Sequence, residues 1–499
     1  MYHKNKYEKY KNKYILLKQK IQKIQKIQEI QEIQEIQEGG KHKFIGAGSS
    51  GCLICPPVKP SEIKSDNLIN YQPDLLLDEI NDCKYVGKIL AIQSNAERDL
   101  DSYENELRQL KIIKELDENG IYTPELIYAN IHTKNELLKI LKKDIDIDVD
   151  VHVNLDVNLD SVDADAYTDT DTDTNTKTDA KTDAKTDANA DIKNISKCVN
   201  DKIKSPYYGY IISKHTGISL FEEYDSKDIE PDTNKLIKFL NKFNELLKFI
   251  KILYDKNFLH LDIKIDNITI KKEEDDKLYL IDFGRTLKLE SEKDFDKIIT
   301  SFLRGQHYMY SFEPKIYINL LGYYTLPKYK KNQISFKDLI TFISFKNNFE
   351  ILIKPYDYKA ANIHDILKKI LEKVFYSNIN EDKPVKNPEK IYKLQKNYFI
   401  NYLNDCKYKY INNNHGNNEN DKLEIKTLLN YIFHPLIAKY DMYCMGIVLA
   451  EIVLFKYKFD ELNDIFQIKF KELIQSLLFN KFDDVSVIIS EIDELQKLI

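Results

Sequence analysis

Asp262, Lys264 and Asn267 fall within six consecutive positions, and Asp282 follows fifteen residues after Asn267. Two carboxylates, an ammonium and an amide at this spacing suit one reaction in particular, transfer of a phosphoryl group from ATP. Asp262 can orient the attacking hydroxyl. Lys264 can offset charge on the moving group. Asn267 and Asp282 can hold magnesium (Mg2+) against the phosphates. His260, at the head of the same segment, reads as a packing residue beneath the loop and not as a titrating catalyst.

These residues need elements to position them. Leu278-Tyr279-Leu280-Ile281 is apolar enough to be the strand that delivers Asp282. Upstream, Leu236, Phe239, Leu240, Phe243, Leu247, Ile250 and Leu253 recur at three- and four-residue spacing, which predicts a helix from Lys235 into the loop. Short apolar runs predict strands near Phe44–Ile45, Cys52–Ile54, Tyr85–Leu90, Leu126–Ile131 and Tyr208–Ser213. One helix, predicted from Ala96 to Leu116, interrupts them.

Gly46-Ala47-Gly48-Ser49-Ser50-Gly51 lies between two of those strands. Its glycines would let backbone amides approach phosphate oxygens. A dinucleotide-binding unit would continue into a helix, whereas strand-like residues flank this loop on both sides. Lys88 lies inside an apolar run, where an ammonium needs a partner. Glu104 and Glu106 on the following helix both qualify. Glu106 is preferred, because Leu110 and Ile113 follow it on the inward face.

The run His260-Leu261-Asp262-Ile263-Lys264-Ile265-Asp266-Asn267, followed by Asp282-Phe283-Gly284, resembles the catalytic loop and metal-binding turn of the protein kinase superfamily. The resemblance spans about 39–141, 201–314 and 436–499. It implies a two-lobed α+β fold, with a small lobe that is mainly β with one helix and a large lobe that is mainly α. The expected divisions are a low-complexity tail at 1–38, a small lobe at 39–214 and a large lobe at 215–499. Insertions are expected at 56–82, 142–200 and 315–435.

The same resemblance implies roles for further residues. Gly46, Gly48 and Gly51 would cover the ATP phosphates, with Leu53 where the family has Val. Lys88 would meet the α- and β-phosphates, paired with Glu106. Ser213 and His215 would belong to the hinge that bonds adenine, with Ile212 as pocket wall. Asp441 would cap the catalytic loop, with Tyr443 where Trp is usual. Lys264 favours Ser/Thr hydroxyls of a protein substrate. A pseudokinase scaffold and a small-molecule kinase of related fold remain open. The long insertions, the Cys55-Pro56-Pro57 run and the Asp117-Glu118-Asn119 turn are similar to divergent kinases of giant DNA viruses.

The chain also departs from the family pattern. Leu261 stands where many kinases have an Arg that receives an activating phosphate, so activity is expected not to depend on phosphorylating Thr300 or Ser301. The motif that closes the activation segment is degraded to Ser311-Phe312-Glu313-Pro314, and no Arg follows Arg304.

Bulk properties set the remaining expectations. The formal net charge of the 499 residues is −6. Residues 144–191 hold fifteen Asp and three Lys, and the rest is only mildly basic, which argues against a nucleic-acid partner. This acidic stretch reads as a disordered insertion, and the Ile-Gln-Lys/Glu triplets at 21–38 lack the heptad of a coiled coil. The polar N-terminus is unlike a secretory signal, and no apolar run reaches membrane-spanning length. An intracellular, cytoplasmic protein is expected, or one in a host cell or virion if viral. Its six scattered Cys are expected as reduced thiols, with Cys52 and Cys55 as strand or loop residues.

Overall fold

The computed structural model describes residues 43–47, 51–55, 83–92, 103–135, 193–201, 207–225, 232–304, 333–345, 388–413 and 421–499, with isolated short pieces elsewhere. The tail at 1–38, Gly48, the 142–191 stretch and Ser311 to Pro314 lie outside them, as does most of the 56–82 insertion. The chain forms two compact units. One comprises 1–96, 102–104 and 126–215, and the other 97–101, 105–125 and 216–499.

Unit 1 is built on an antiparallel sheet. Its strands are β1 (Lys43–Ala47), β2 (Gly51–Cys55), β3 (Tyr85–Ala91), β4 (Leu126–Thr133) and β5 (Tyr207–Lys214), in spatial order β1-β2-β3-β5-β4. All five expected strands are present, because their β-branched and aromatic residues suit a pleated, half-buried surface. Cys52, Ile54, Ile89, Tyr128, Tyr208, Tyr210 and Ile212 form one buried cluster. Helical residues at 193–201 add Ile195, Cys198 and Val199 to it. Gly209 is required where β5 passes beneath Tyr103, since a Cβ there would meet the Tyr103 ring at 2.1 Å.

The cysteine expectation is overturned in this unit. Cys52 is joined to Cys198, and Cys55 to Cys83, with Cα separations of 6.1 and 5.3 Å. Both separations fall in the range a disulfide spans. The partners are 146 and 28 residues apart in sequence, so only the folded sheet brings them together. Cys406 and Cys444 are free and buried in unit 2.

The expected small-lobe helix is described as α1 (Tyr103–Leu116). Tyr103 and Glu104 belong to unit 1, and the remainder to unit 2.

Unit 2 is mainly helical. A three-stranded sheet orders β6 (Ile218–Ser219), β8 (Ile268–Lys271) and β9 (Lys277–Leu280) as β6-β8-β9, and β7 (Phe258–Leu259) pairs with β10 (Leu287–Lys288). The expected helix is α2 (Thr233–Asp255), capped by Asp232, whose side chain accepts from the Asn234 amide. All seven of its periodic apolar residues are buried. After β10 come α3 (Glu292–Arg304), α4 (Phe336–Ser344), α5 (Pro388–Asn413), α6 (Ile425–Ala438), α7 (Tyr440–Phe455), α8 (Asp464–Leu478) and α9 (Val485–Gln496).

Helix α7 is buried over fifteen of its sixteen residues and forms the centre of the unit. Gly446 lets α8 approach it, since a Cβ there would lie 2.7 Å from Leu477 Cβ. The segment expected as an insertion contributes to this core. Phe399 and Leu403 of α5 are buried. Phe399 packs on Phe433 of α6, and Tyr402 donates to Ile432 O at 2.7 Å. Of the helix expected at 363–375, only residues 369, 370, 373 and 374 are described, all helical.

Candidate active site

The loop between β7 and β8 gathers the first three residues. Asn267 closes a 3-10 turn, Ile265–Asn267, in which its amide donates to Lys264 O at 2.9 Å. Its side-chain Nδ2 donates twice to Asp262, to the backbone O and to Oδ2, each at 2.8 Å. Lys264 Nζ bonds the same Oδ2 at 3.1 Å. An amide and an ammonium therefore both hold one oxygen of the Asp262 carboxylate. Asp262 and Asn267 are buried and Lys264 is half-buried, so water competes weakly for these contacts.

Asp282 follows β9 by two residues. β8 and β9 pair Ile268 with Leu280, and the next amide, Ile281 N, donates to Asn267 O at 3.0 Å. The metal-binding candidates Asn267 and Asp282 are thus adjacent through one backbone bond. Asp282 is in the left-handed region at φ 64°, and Leu261, just before Asp262, is there at φ 63°. For Leu, unlike Asp, positive φ is uncommon and costs on the order of 1–3 kcal/mol. Such strain persists only where surrounding contacts hold it.

Those contacts come from the centre of the unit. Asp441, in the first turn of α7, accepts the His260 amide at 2.5 Å and the Leu261 amide at 3.0 Å. Burial raises its carboxyl to about 6, against the pull of those two amides. Asp441 is therefore the expected cap on the loop backbone. His260 is fully buried, and desolvation lowers its pKa. Its Nε2 donates to Ile281 O at 3.0 Å, Nδ1 accepts from the Asp262 amide at 3.3 Å, and the ring packs edge-on to Phe283 at 4.9 Å. It serves as a spacer between the two halves of the site, as its position in sequence suggested.

The residues suit a hydrated divalent cation shared with phosphates. Among the described residues no group of three His, Cys, Asp or Glu could hold a metal by itself. Asn267 commits its Nδ2 to Asp262, and its Oδ1 accepts no hydrogen bond within the described residues. Asn267 Oδ1 and the Asp282 carboxylate are the side-chain groups that would hold magnesium, which would offset charge on phosphate oxygens.

The remaining candidates are placed as follows. In unit 1, Lys88 lies in β3 opposite Leu53 of β2, half-buried. Lys84 is exposed in the turn before β3. Gly46 lies in β1, and Gly51 opens β2. Ser213 pairs with Val86 near the end of β5, Ile212 is fully buried, and the His215 amide donates to Lys84 O at 2.7 Å. In unit 2, Glu106 of α1 is buried. In unit 1, Glu104 of α1 is half-buried. Thr300 and Ser301 lie in α3, and Phe295 of that helix packs on Tyr317 and His434.

Sequence reasoning missed one contact at the site. Asn105 Nδ2 on α1 donates to Gly284 O at 2.5 Å, and Asn105 is buried. The available signal was an amide beside Glu106 on the inward face that also carries Leu110 and Ile113.

No protein-family model matches the chain. Over 98 residues the chain is 31% identical to a probable serine/threonine-protein kinase, fnkE, of Dictyostelium discoideum. That match takes in 18% of this chain and 7% of that protein, so the chain spans only a small part of the relative's length. Over this short stretch the chain is kinase-like. No helix among the described residues is long and apolar enough to cross a membrane.

Proposed function

We propose that the chain is an ATP- and magnesium-dependent kinase of two-lobed form that phosphorylates Ser or Thr hydroxyls of protein substrates. The observation that carries this reading is the joint fixation of the Asp262 carboxylate by Lys264 and Asn267, with Asp282 adjacent to Asn267 through Ile281. A carboxylate held this way can accept the proton of an incoming hydroxyl. The ammonium of Lys264 beside it can offset negative charge on the transferred group. Bound magnesium would neutralise the phosphate oxygens, with Asn267 and Asp282 as its protein ligands.

Unit 1 has a role in the same reading. Gly46 and Gly51 would lie toward the phosphates, Lys88 would contact them, and the backbone around Ser213 and His215 would bind adenine. The partial likeness to a probable Ser/Thr kinase supports the phosphoryl-transfer class.

The test is a magnesium-ATP assay with labelled γ-phosphate on mixed protein substrates, comparing wild type with Asp262→Asn and Asp282→Asn. Loss of about 100-fold or more in turnover is expected for both, with nucleotide affinity weakened mainly in Asp282→Asn. Turnover unchanged by Asp262→Asn would remove the assigned base. Transfer to a metabolite pool but to no protein would reassign the substrate class.

A further inference from the structure

We infer that Asn105 is a positioning residue for the proposed phosphoryl transfer, coupling the placement of α1 to the metal-binding turn at Asp282 through the Gly284 carbonyl. This rests on the reading of Asp282 as a magnesium ligand.

The buried face of α1 is unusual. Alongside Leu107, Leu110 and Ile113 it carries three buried polar residues, Asn105, Glu106 and Gln109. Buried amides on a helix are uncommon unless they have specific partners. The partner of Asn105 lies 179 residues away, the carbonyl of Gly284, with the donor at 2.5 Å. Gln109, one turn along, approaches Asn105 Oδ1 with its Nε2 at 3.5 Å, which favours the amide orientation that points Nδ2 at Gly284.

The turn is otherwise held from its other end. Phe283 is fully buried against His260, and His260 Nε2 holds Ile281 O. The Thr286 amide closes the turn onto Phe283 O at 3.0 Å. Gly284 O is thus the point at which α1 holds the turn. Asp282 sits two residues earlier at positive φ. If α1 rotates, the amide withdraws and the restraint that Asn105 places on the turn carrying Asp282 is lost. An uncharged donor makes this coupling insensitive to salt, unlike an ion pair.

The experiment uses the full chain with Asn105→Leu, Asn105→Asp and Asp282→Asn. Asn105→Leu keeps the volume and removes both the donor to Gly284 O and the acceptor that Gln109 approaches. Its KM for magnesium-ATP should rise about tenfold, its magnesium requirement should shift upward, and KM for protein substrate should stay near wild type. Asn105→Asp supplies a donor only when its carboxyl is protonated. Its activity relative to wild type should therefore recover at about pH 5 and fall at pH 8, a profile that loss of packing would not produce.

Hydrogen exchange supplies a readout that needs no turnover. Amides of 281–287 should exchange at least fivefold faster in Asn105→Leu, with those of α7 unchanged. Wild-type kinetics, metal dependence and exchange in both Asn105 variants, while Asp282→Asn is impaired, would overturn the inference alone. Indifference of nucleotide binding to Asp282→Asn would overturn the reading of the site, and the inference with it.

Discussion

The carboxylate of Asp441 accepts the backbone N–H of Leu261 at 3.0 Å across 180 residues of sequence. The same side chain takes the neighbouring His260 amide. One buried residue of α7 thus sets the path of the chain into Asp262. In Asp441→Asn one amide keeps an oxygen to donate to, and the other meets an N–H. A destabilisation of roughly 2–4 kcal/mol is expected, from loss of charge-assisted bonds and an unsatisfied buried donor. Turnover should fall about 100-fold because Asp262 is displaced. Urea denaturation together with the phosphotransfer assay checks both; a variant as stable and active as wild type contradicts the capping role.

Glu451 lies buried on the same helix. Burial raises its carboxyl to about 7, with Lys456 opposing and Asp266 reinforcing. The sign follows from the raised value. Stability from this group is full below its ordinary carboxylate range and is lost as pH rises through about 7. Asp441, raised to about 6 by burial, contributes in the same direction. Glu451→Gln should therefore match wild type near pH 5 and exceed it at pH 8, by on the order of 2 kcal/mol. Urea midpoints at the two pH values decide it, and a variant weaker than wild type at pH 8 would show that the ionised carboxylate is the stabilising form.

The two disulfides of unit 1 tie β2 to the helical residues around Cys198 and to the start of β3. Peptide mapping without reduction should recover Cys52 linked to Cys198 and Cys55 linked to Cys83, with Cys406 and Cys444 as thiols. The Cys52–Cys198 bond is almost fully enclosed, while Cys83 is exposed. Mild dithiol treatment should therefore open Cys55–Cys83 first. Cys52→Ser with Cys198→Ser should cost about 2–4 kcal/mol in unit 1. Six alkylatable thiols in freshly isolated, denatured protein would exclude both bonds.

Thr300 and Ser301 lie in α3, whose Phe295, Ile298 and Ile299 are buried and whose Asp296 pairs with Lys426 at 2.7 Å. Leu261, where a phosphate-receiving Arg would stand, is itself buried. A helix already anchored by apolar contacts gains little from an added phosphate when Leu and not Arg precedes Asp262. Protein shown by intact mass to be unphosphorylated should be active, and Thr300→Ala with Ser301→Ala should stay within about twofold of wild type. Inert unmodified protein that gains activity on modification of either residue would refute this.

The cluster around Asp262 was legible in the sequence because its contacts are local. Asp262, Lys264 and Asn267 meet within one turn of chain, and an apolar strand of four residues is enough to deliver Asp282. The strands of unit 1 and helix α2 were legible for a related reason: alternation and a 3.6-residue period record which faces are buried. The expected cap at Asp441 was found from a motif, but its two bonds to the loop were not.

Tertiary structure decided what depends on distant partners. Cys52 and Cys198 read as separate thiols until the sheet placed their Cα atoms 6.1 Å apart. Asn105 read as one more polar residue on a helix until Gly284 came within its reach, and the 315–435 segment read as an appendage until Phe399 packed on Phe433. Sequence periodicity reports burial of a residue against its own element. It carries no record of which remote backbone atom a buried amide or thiol will meet, because that pairing is fixed only when the elements dock.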